Sequence, residues 1–269
     1  MTGLDSAAVW AAIAGYGLGL AASLAGSIFR LPRFSTTGIA LGLTGVACHA
    51  AAVVVRWTVS GHAPVMGPYE NALLGSFFLP PLFIALAWRY PAVRGAAPLV
   101  MAATLLILGN GVMAHQAHAP LEPPYRSNWL VVHVLFAWLA FGSYLVSSAL
   151  AAHYLWTTRA GAPAPDPDRR PLVDELAARL IAFGFAADSI MIASGAIWAH
   201  GLWGRYWAWD PVETWSLVSW LVYGANLHLR FTLGWSGRRA AWLALASVLA
   251  VIISFFGIGV IASVHTEVL

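Results

Sequence analysis

The sequence predicts an all-α, polytopic membrane protein with about eight transmembrane helices and both termini on the outer side of the membrane. Of its 269 residues, 60% are hydrophobic and 9% are charged. The apolar residues form eight runs, each close to the ~20 residues that cross a bilayer core. The 14 basic residues are all arginine, and they cluster in alternate connections between the runs. No polar stretch is long enough for a separate soluble domain, so we expect residues 1–269 to form one membrane domain.

Each apolar run is expected to be helical, because backbone polar groups inside a bilayer must be hydrogen-bonded within the segment itself. The paired prolines Pro80 and Pro81 predict a kink in the third span. The predicted spans are residues 7–29, 37–58, 71–90, 96–114, 129–156, 176–199, 211–231 and 240–263.

The arginines orient these spans. The arginine-rich connections follow the first, third, fifth and seventh spans, and the positive-inside rule places them in the cytoplasm. The other face carries only three arginines, Arg56, Arg126 and Arg205. The longest polar connection contains GAPAPDPDRR at residues 161–170, whose proline-rich, charged composition predicts a cytoplasmic linker over residues 159–175.

Composition excludes several functions. The formal charge of +3 follows membrane topology and does not indicate nucleic-acid binding. The one cysteine, Cys48, belongs to no CxxC or CxxCH motif, so the chain is neither a dithiol oxidoreductase nor a covalent c-type haem carrier. No basic flank precedes the first apolar run, which favours a retained first helix over a cleaved signal peptide.

Residues 198–220 (WAHGLWGRYWAWDPVETWSLVSW) hold six of the 14 tryptophans. Asp210 is a suitable N-cap, Pro211 suits the first helical position, and Glu213 has the spacing of a capping box, so a helix should begin at Asp210. Tryptophans also form interfacial belts at helix ends. A belt distributes its rings around the molecule, whereas these crowd into one outer loop, residues 198–215. This pattern favours an aromatic platform for a large planar ligand.

The nine histidines fall at defined depths. His133 and His265 lie near the outer ends of the fifth and eighth spans, level with the tryptophan loop. His228 lies 18 residues after Asp210, about 27 Å along a helix, and cannot serve a ligand on that loop. Two neutral imidazoles on opposite sides of a haem iron form a standard axial arrangement. For the mid-membrane His49 and for His153, we favour hydrogen bonds between helices.

Other polar residues have simpler explanations. Asp210 and Glu213 are accounted for by helix capping, and Glu70 by the favourable dipole at a helix N-terminus. Any of the three outer arginines could pair with haem propionates. Zinc is less favoured, because no HExxH motif or Cys/His spacing is present. Asp188 is placed in the middle of the sixth span, where an acid needs a partner or a role.

Several stretches resemble one family. Residues 203–215 (WGRYWAWDPVETW) resemble the tryptophan-rich "WWD" signature of haem-handling membrane proteins, and specifically the CcsA/ResC family of System II cytochrome c biogenesis. Four further segments are similar to that family between about residue 40 and the C-terminus. They are residues 56–71 (RWTVSGHAPVMGPYEN), 127–134 (SNWLVVHV), 221–230 (LVYGANLHLR) and 257–267 (GIGVIASVHTE).

The resemblance implies a haem-binding subunit of a cytochrome c synthase in the inner (plasma) membrane. Haem b would enter from the cytoplasm through a site at His228 and then be presented outside between His133 and His265. A CcsB/ResB-type membrane protein would supply the other intramembrane histidine. Apocytochrome c would bring its CxxCH thiols, with a thiol-reducing partner, for covalent haem attachment. The expected haem contacts in the outer loop of residues 198–215 are Trp203, Trp207, Trp209, Asp210 and Trp215.

The chain departs from the family pattern around Glu70 and after His265, where Thr266 and Glu267 replace a serine–aromatic pair.

Two other functions compete with that of a cytochrome c synthase subunit. A CcmC-like haem chaperone would typically have six spans. A diheme b-type electron-transfer protein would need a second histidine pair, for which His228 and His153 are candidates. An accessory regulator of haem synthesis with a related fold is a further alternative. Whether the chain counts as an enzyme depends on its place in the synthase complex.

Overall fold

The computed structural model describes residues 3–114, 119–160 and 169–257. The described residues form eight α-helices, with short 3₁₀ turns at Pro91–Ala96 and Pro123–Tyr125 and a π-helical turn at Ile253–Gly257. The helices are α1 (Gly3–Ile28), α2 (Pro32–Ser60), α3 (Gly67–Arg89), α4 (Ala97–Met113), α5 (Asn128–Thr157), α6 (Arg169–Trp203), α7 (Pro211–Phe231) and α8 (Arg238–Ile252).

The helices confirm the predicted all-α membrane architecture. Seven segments in the described residues are long and apolar enough to cross a membrane, and α7, with 21 residues, occupies the remaining predicted span. Helix α6 is longer than predicted: it begins at Arg169 rather than 176 and continues to Trp203. Helix α3 runs continuously from Gly67 to Arg89 through Pro80 and Pro81.

The chain folds as two compact units, Met1–Leu121 and Glu122–Leu269. In the first unit α1 packs along α2, and α3 packs against α4. The approach of α1 to α2 depends on glycine, because a Cβ added to Gly15 would lie 2.7 Å from the α-carbon of Gly45. The single membrane domain predicted for residues 1–269 stays a prediction.

Buried polar side chains join the helices of the first unit. His49 on α2 contacts Leu73 O through Nε2 at 2.8 Å and the Tyr16 hydroxyl through Nδ1 at 3.2 Å. A carbonyl oxygen only accepts, so Nε2 donates to Leu73 and Nδ1 accepts from Tyr16. The expectation that His49 hydrogen-bonds between helices is therefore confirmed.

Glu70, in the first turn of α3, is buried and forms an ion pair with Arg56 of α2, at 2.7 Å between Oε1 and Nε. Its other oxygen accepts the N–H of Met66, the N-cap residue, at 2.9 Å. Glu70 thus stabilises a helix N-terminus as expected, and it also neutralises a buried arginine. The charge on Arg56 is taken up by this pair, so Arg56 is no longer a good candidate for a propionate partner.

The second unit contains the tryptophan-rich segment. Helix α5 packs along α6, α8 packs against α5, and α7 packs against both α6 and α8. The partner of Asp188 is Tyr144, whose hydroxyl donates to Oδ2 at 3.2 Å. The Tyr144 ring stacks on Tyr223 with a centroid separation of 3.4 Å and an interplanar angle of 5°. This buried cluster links α5, α6 and α7 in the middle of the unit.

Candidate functional site

Residues 198–215, called the tryptophan segment below, comprise the end of α6, a seven-residue connection and the start of α7. Helix α6 ends at Trp203, where Gly204 takes the left-handed conformation (φ 70°) and its N–H bonds His200 O at 2.9 Å. Glycine at this position is a common helix terminator. Trp198 and Trp203 are therefore helical, and only Trp207 and Trp209 belong to the connection itself.

Asp210 caps α7 as the sequence predicted. Its Oδ1 accepts the N–H groups of Val212 at 2.7 Å and Glu213 at 3.0 Å, and Pro211 is the first helical residue. Glu213 departs from the expected capping box: its Oε2 accepts the N–H of Ala208 at 2.6 Å, two residues before the cap. Both carboxylates are buried. Together they hold the connection against the start of α7 from two points.

The connection presents one indole outward and keeps another half-buried. Trp209 adopts a left-handed backbone conformation (φ 60°), rare for a non-glycine residue, and is 69% exposed. Its ring meets Trp207 edge to face at 5.7 Å between centroids. The Trp207 Nε1 is buried and has no hydrogen-bond partner among the described residues. A buried indole N–H normally finds an acceptor, so this atom marks a place where a bound group would fit.

His133 lies beside the tryptophan segment. Its ring is 6.5 Å from that of Trp198, at an interplanar angle of 22°. Trp198 donates from Nε1 to Pro124 O at 3.0 Å and meets Trp203 edge to face at 5.5 Å. The structure thus brings His133, Trp198 and Trp203 together within the second unit.

The orientation of His133 is set by α6. Its Nδ1 lies 2.9 Å from Met191 O. A carbonyl only accepts, so Nδ1 carries the proton in this contact and Nε2 is the nitrogen with the lone pair. Metal-binding histidines commonly have their second ring nitrogen fixed in this way. Gly195 makes room for the ring, because a Cβ there would lie 2.6 Å from Nδ1.

The remaining predicted residues occupy separate positions. Trp215 is half-buried near the start of α7. His228 is exposed near the other end of α7, where its Nδ1 lies 3.3 Å from Thr232 Oγ1. His265 lies outside the described residues, so its place beside His133 stays a prediction. Within the part of the chain that the structure describes, no three His, Cys, Asp or Glu side chains gather as a metal cluster.

One exposed arginine belongs to the tryptophan segment, and another exposed arginine lies near its Trp198 in the second unit. Arg205 is exposed within the connection, and Arg126 is exposed two residues after Pro124, the residue that accepts the Trp198 hydrogen bond. A further exposed pair is His200 and Tyr206, whose rings stack at 4.2 Å.

Sequence reasoning did not identify three elements of the site: the Met191 carbonyl, Gly195 and the Ala208 N–H. The two backbone groups leave no trace in side-chain identity. Gly195 carries a weak signal, because a glycine inside a predicted membrane helix often marks a close approach. That signal does not say which side chain approaches.

Residues 69–265 match the family described as Cytochrome C assembly protein. The chain is 33% identical over 267 residues to the cytochrome c biogenesis protein CcsA of Synechococcus sp. (strain RCC307), covering 86% of this chain and 84% of that protein. It is 32% identical over 246 residues to the CcsA protein of Prochlorococcus marinus (strain MIT 9303), covering 78% and 77%. Among solved structures, it resembles cytochrome c heme lyase CcmF with a TM-score of 0.70 and 22% identity. That match covers 95% of this chain and 47% of CcmF, so the chain spans about half of its length, and the likeness concerns the fold alone.

Proposed function

Because this chain belongs to the CcsA family of cytochrome c assembly proteins, we propose that it is the haem-binding subunit of a cytochrome c synthase. A role in cytochrome c maturation follows from the family. The finer proposal is that the chain exports haem b and presents it on the outer side of the membrane for covalent attachment to apocytochrome c.

The observation that carries the proposal is the placement of His133 against the tryptophan segment. His133 projects from α5, and Trp198 lies on α6, 65 positions later in the chain, yet their rings face each other at 6.5 Å. The contact between Nδ1 and Met191 O fixes the tautomer that offers Nε2 to a metal. An imidazole of this kind beside a cluster of indoles suits an iron porphyrin, which needs both an axial nitrogen and flat apolar contacts.

Each residue of the site then has a role toward haem as substrate. His133 supplies one axial nitrogen and His265 the other. Trp203, Trp207, Trp209 and Trp215 provide the aromatic platform, with the exposed Trp209 indole at its edge. Asp210 acts indirectly, because its cap bonds hold the connection in place.

The positive charge at the site suits the propionates. Arg205 and Arg126 are exposed beside the tryptophan segment, and guanidinium groups bind carboxylates through paired hydrogen bonds. Arg56 is left out of this role because of its buried pair with Glu70.

The bond-forming chemistry belongs to the substrates. Each cysteine thiol of the CxxCH motif adds across one haem vinyl group, with sulfur joining one carbon and hydrogen the other, so no leaving group is released. The chain contributes by holding the haem in one orientation with its edge accessible to the apocytochrome. We assign no acid–base residue to the step.

The proposed inner site rests on His228. This residue is exposed on α7, and α7 separates it by 18 residues, about 27 Å, from Asp210. A side chain directed away from its own unit is available to a second protein, which agrees with a CcsB/ResB-type partner supplying the opposing histidine. With the arginine-rich connections in the cytoplasm, haem would pass from His228 toward the outer tryptophan segment of a plasma-membrane complex.

The test is co-expression of this chain with the neighbouring membrane protein and an apocytochrome c. Covalent haem is scored on a denaturing gel, and non-covalent haem by the spectrum of the purified complex. We expect covalent haem only when both membrane proteins are present. We expect His228→Ala to reduce total haem and His133→Ala to leave the inner haem in place.

Other outcomes would replace the proposal. Stable haem and quinone reactivity in the isolated chain would indicate an electron-transfer protein. Transfer of non-covalent haem to a separate carrier, without attachment, would indicate a CcmC-like chaperone.

A further inference from the structure

One end of the first unit, where α1 passes to α2 and α3 passes to α4, is strongly basic and is called the basic end below. Because α2 and α3 each cross the unit once, both connections lie at the same end, and the turn Pro91–Ala96 between α3 and α4 packs against α2. The positive-inside rule predicts that this end faces the cytoplasm. Three of its arginines are exposed and the last is half-buried: Arg30, Arg33, Arg89 and Arg94.

The acids of the first unit lie far from the basic end. Residues 1–121 contain two acids, Asp5 and Glu70. Asp5 lies 23 residues before the last residue of α1, about 35 Å along a helix. Glu70 is in the first turn of α3 and is paired with Arg56. The four arginines make no ion pair with any residue that the structure describes. Within the described residues, their charge is left for an anion from outside the chain.

The arginine-rich end of the second unit is different. Arg230 bonds Asp174 at 2.5 Å and Glu175 at 3.0 Å, and Arg179 bonds Glu175 at 3.0 Å. Acids of the same unit thus neutralise part of that positive charge. Membrane orientation depends on the basic residues and little on nearby acids, so both units satisfy it. Orientation alone therefore does not explain why the acids of the first unit are so distant from its basic end.

The backbone of Arg30 is a second, independent observation. This residue takes the left-handed conformation (φ 56°) in the turn that ends α1, where the Leu31 N–H bonds Gly26 O at 3.1 Å. Helices that end in this way usually have glycine at the left-handed position, because a side chain is strained there. Arg33, in the same connection, already meets the positive-inside rule. A strained arginine in the place of a glycine indicates a function for its side chain.

Aromatic rings hold two of the other guanidinium groups. Arg33 lies over the ring of Phe34 at 5.4 Å from the centroid, and Arg89 lies over the ring of Tyr90 at 4.9 Å. A ring face contacts the plane of a guanidinium group and leaves the N–H groups at its edge able to donate. These contacts restrict the arginine side chains without neutralising their charge.

We propose that the basic end binds the phosphate of an anionic phospholipid in the cytoplasmic leaflet, with its four arginines as donors. Guanidinium groups bind phosphate through paired, charge-assisted hydrogen bonds. Basic clusters beside membrane helices attract anionic lipids, and each basic residue raises the affinity about fivefold. A lipid is favoured over a soluble anion because the arginines follow helix ends at the membrane surface. The exposed rings of Phe29 and Trp88, each next to an arginine in the chain, are typical of that surface.

The test compares phosphatidylglycerol with phosphatidylcholine of the same acyl chains. The complex is purified in mild detergent, freed of lipid and titrated with each lipid, and native mass spectrometry measures the bound lipid. Wild type should prefer phosphatidylglycerol. Arg30→Gly should lower the affinity for phosphatidylglycerol about fivefold and leave that for phosphatidylcholine unchanged. Its unfolding temperature should be equal or higher, because glycine suits the left-handed conformation. Arg89→Gln, in the other connection, should lower the affinity similarly.

Arg239→Gln is the matched control. Arg239 is exposed in the first turn of α8, in the second unit, and makes no ion pair with any residue that the structure describes. This substitution removes the same charge from an arginine-rich end and should leave the affinity for phosphatidylglycerol unchanged.

Three results would overturn the proposal. Equal retention of the two lipids by wild type would show that the complex does not select an anionic headgroup. An equal loss of affinity in Arg239→Gln would show a general attraction of basic residues to the membrane surface. Displacement of the lipid by an equimolar amount of inorganic phosphate would assign the arginines to a soluble anion. The haem spectrum of the same samples tests the proposed function, so the two proposals can fail separately.

Discussion

Replacing Gly195 by alanine should impair haem ligation without unfolding the protein. A Cβ at this position would lie 2.6 Å from His133 Nδ1 and 3.0 Å from Cε1, and ordinary contact begins at 3.4 Å. The imidazole must therefore move by about 0.8 Å. That movement breaks or weakens the bond between Nδ1 and Met191 O, now 2.9 Å long.

The expected magnitude follows from two opposing terms. Loss of the hydrogen bond costs ~1 kcal/mol, whereas alanine stabilises a helix interior by ~1 kcal/mol relative to glycine. The free energy of unfolding should thus change little. The affinity for haem should fall more strongly, because disturbing a group that orients a metal ligand typically lowers metal affinity ~10–100-fold.

The assay compares the haem spectrum, cytochrome c maturation and thermal unfolding of the purified complex. Gly201→Ala is the matched control, since Gly201 lies on the same helix and a Cβ there meets nothing within 4 Å. It should keep wild-type haem and be equally or slightly more stable. The reasoning is refuted if Gly195→Ala keeps its haem affinity within about twofold, or if both variants lose haem equally.

Three further substitutions test individual contacts by thermal unfolding of the complex. Arg56→Leu should lower the free energy of unfolding by ~3–5 kcal/mol, because it leaves the Glu70 carboxylate buried without its cation. Adding Glu70→Gln should restore most of this loss. If the double variant does not recover, the ion pair is not the cause. Asp210→Ala should lower the free energy of unfolding by ~0.5–2 kcal/mol, because it removes the acceptor for two N–H groups of α7. Asp210→Asn keeps an acceptor and should be nearly as stable as wild type. Equal losses in the two variants would contradict the capping role. Asp188→Leu should lower the free energy of unfolding by ~1–3 kcal/mol, because it leaves the Tyr144 hydroxyl buried without an acceptor. Asp188→Asn retains an acceptor and should lose less; an equal loss in the two variants would contradict the hydrogen bond as the cause.

The sequence predicted the parts of the structure that depend on neighbouring residues. The start of α7 at Pro211 was predictable, because N-capping by Asp210 involves groups within three residues. The position of His133 near the start of α5 followed from its place in the fifth apolar run. The all-α architecture followed from the length and composition of the spans.

Features that depend on how helices face each other were not predictable. The contact of His133 with Met191 O requires a particular rotation of α5 against α6, and no side-chain pattern specifies it. Asp188 was recognised as a buried acid, but its partner Tyr144 lies 44 residues earlier on another helix. The bond from Ala208 to Glu213 spans Trp209, whose left-handed conformation its residue type does not suggest. The pairing of His133 with His265 stays a prediction of the same long-range kind.

The central claim is that His133 supplies an axial nitrogen to haem on the tryptophan segment, and the reduced-minus-oxidised spectrum of the purified complex tests it most directly. His133→Ala should lose the outer bis-histidine signal and covalent cytochrome c formation. His200→Ala should keep both, since that histidine is exposed on the same segment and stacks only on Tyr206 in the described ring contacts. A His133→Ala complex with an unchanged bis-histidine spectrum and full maturation would contradict the account.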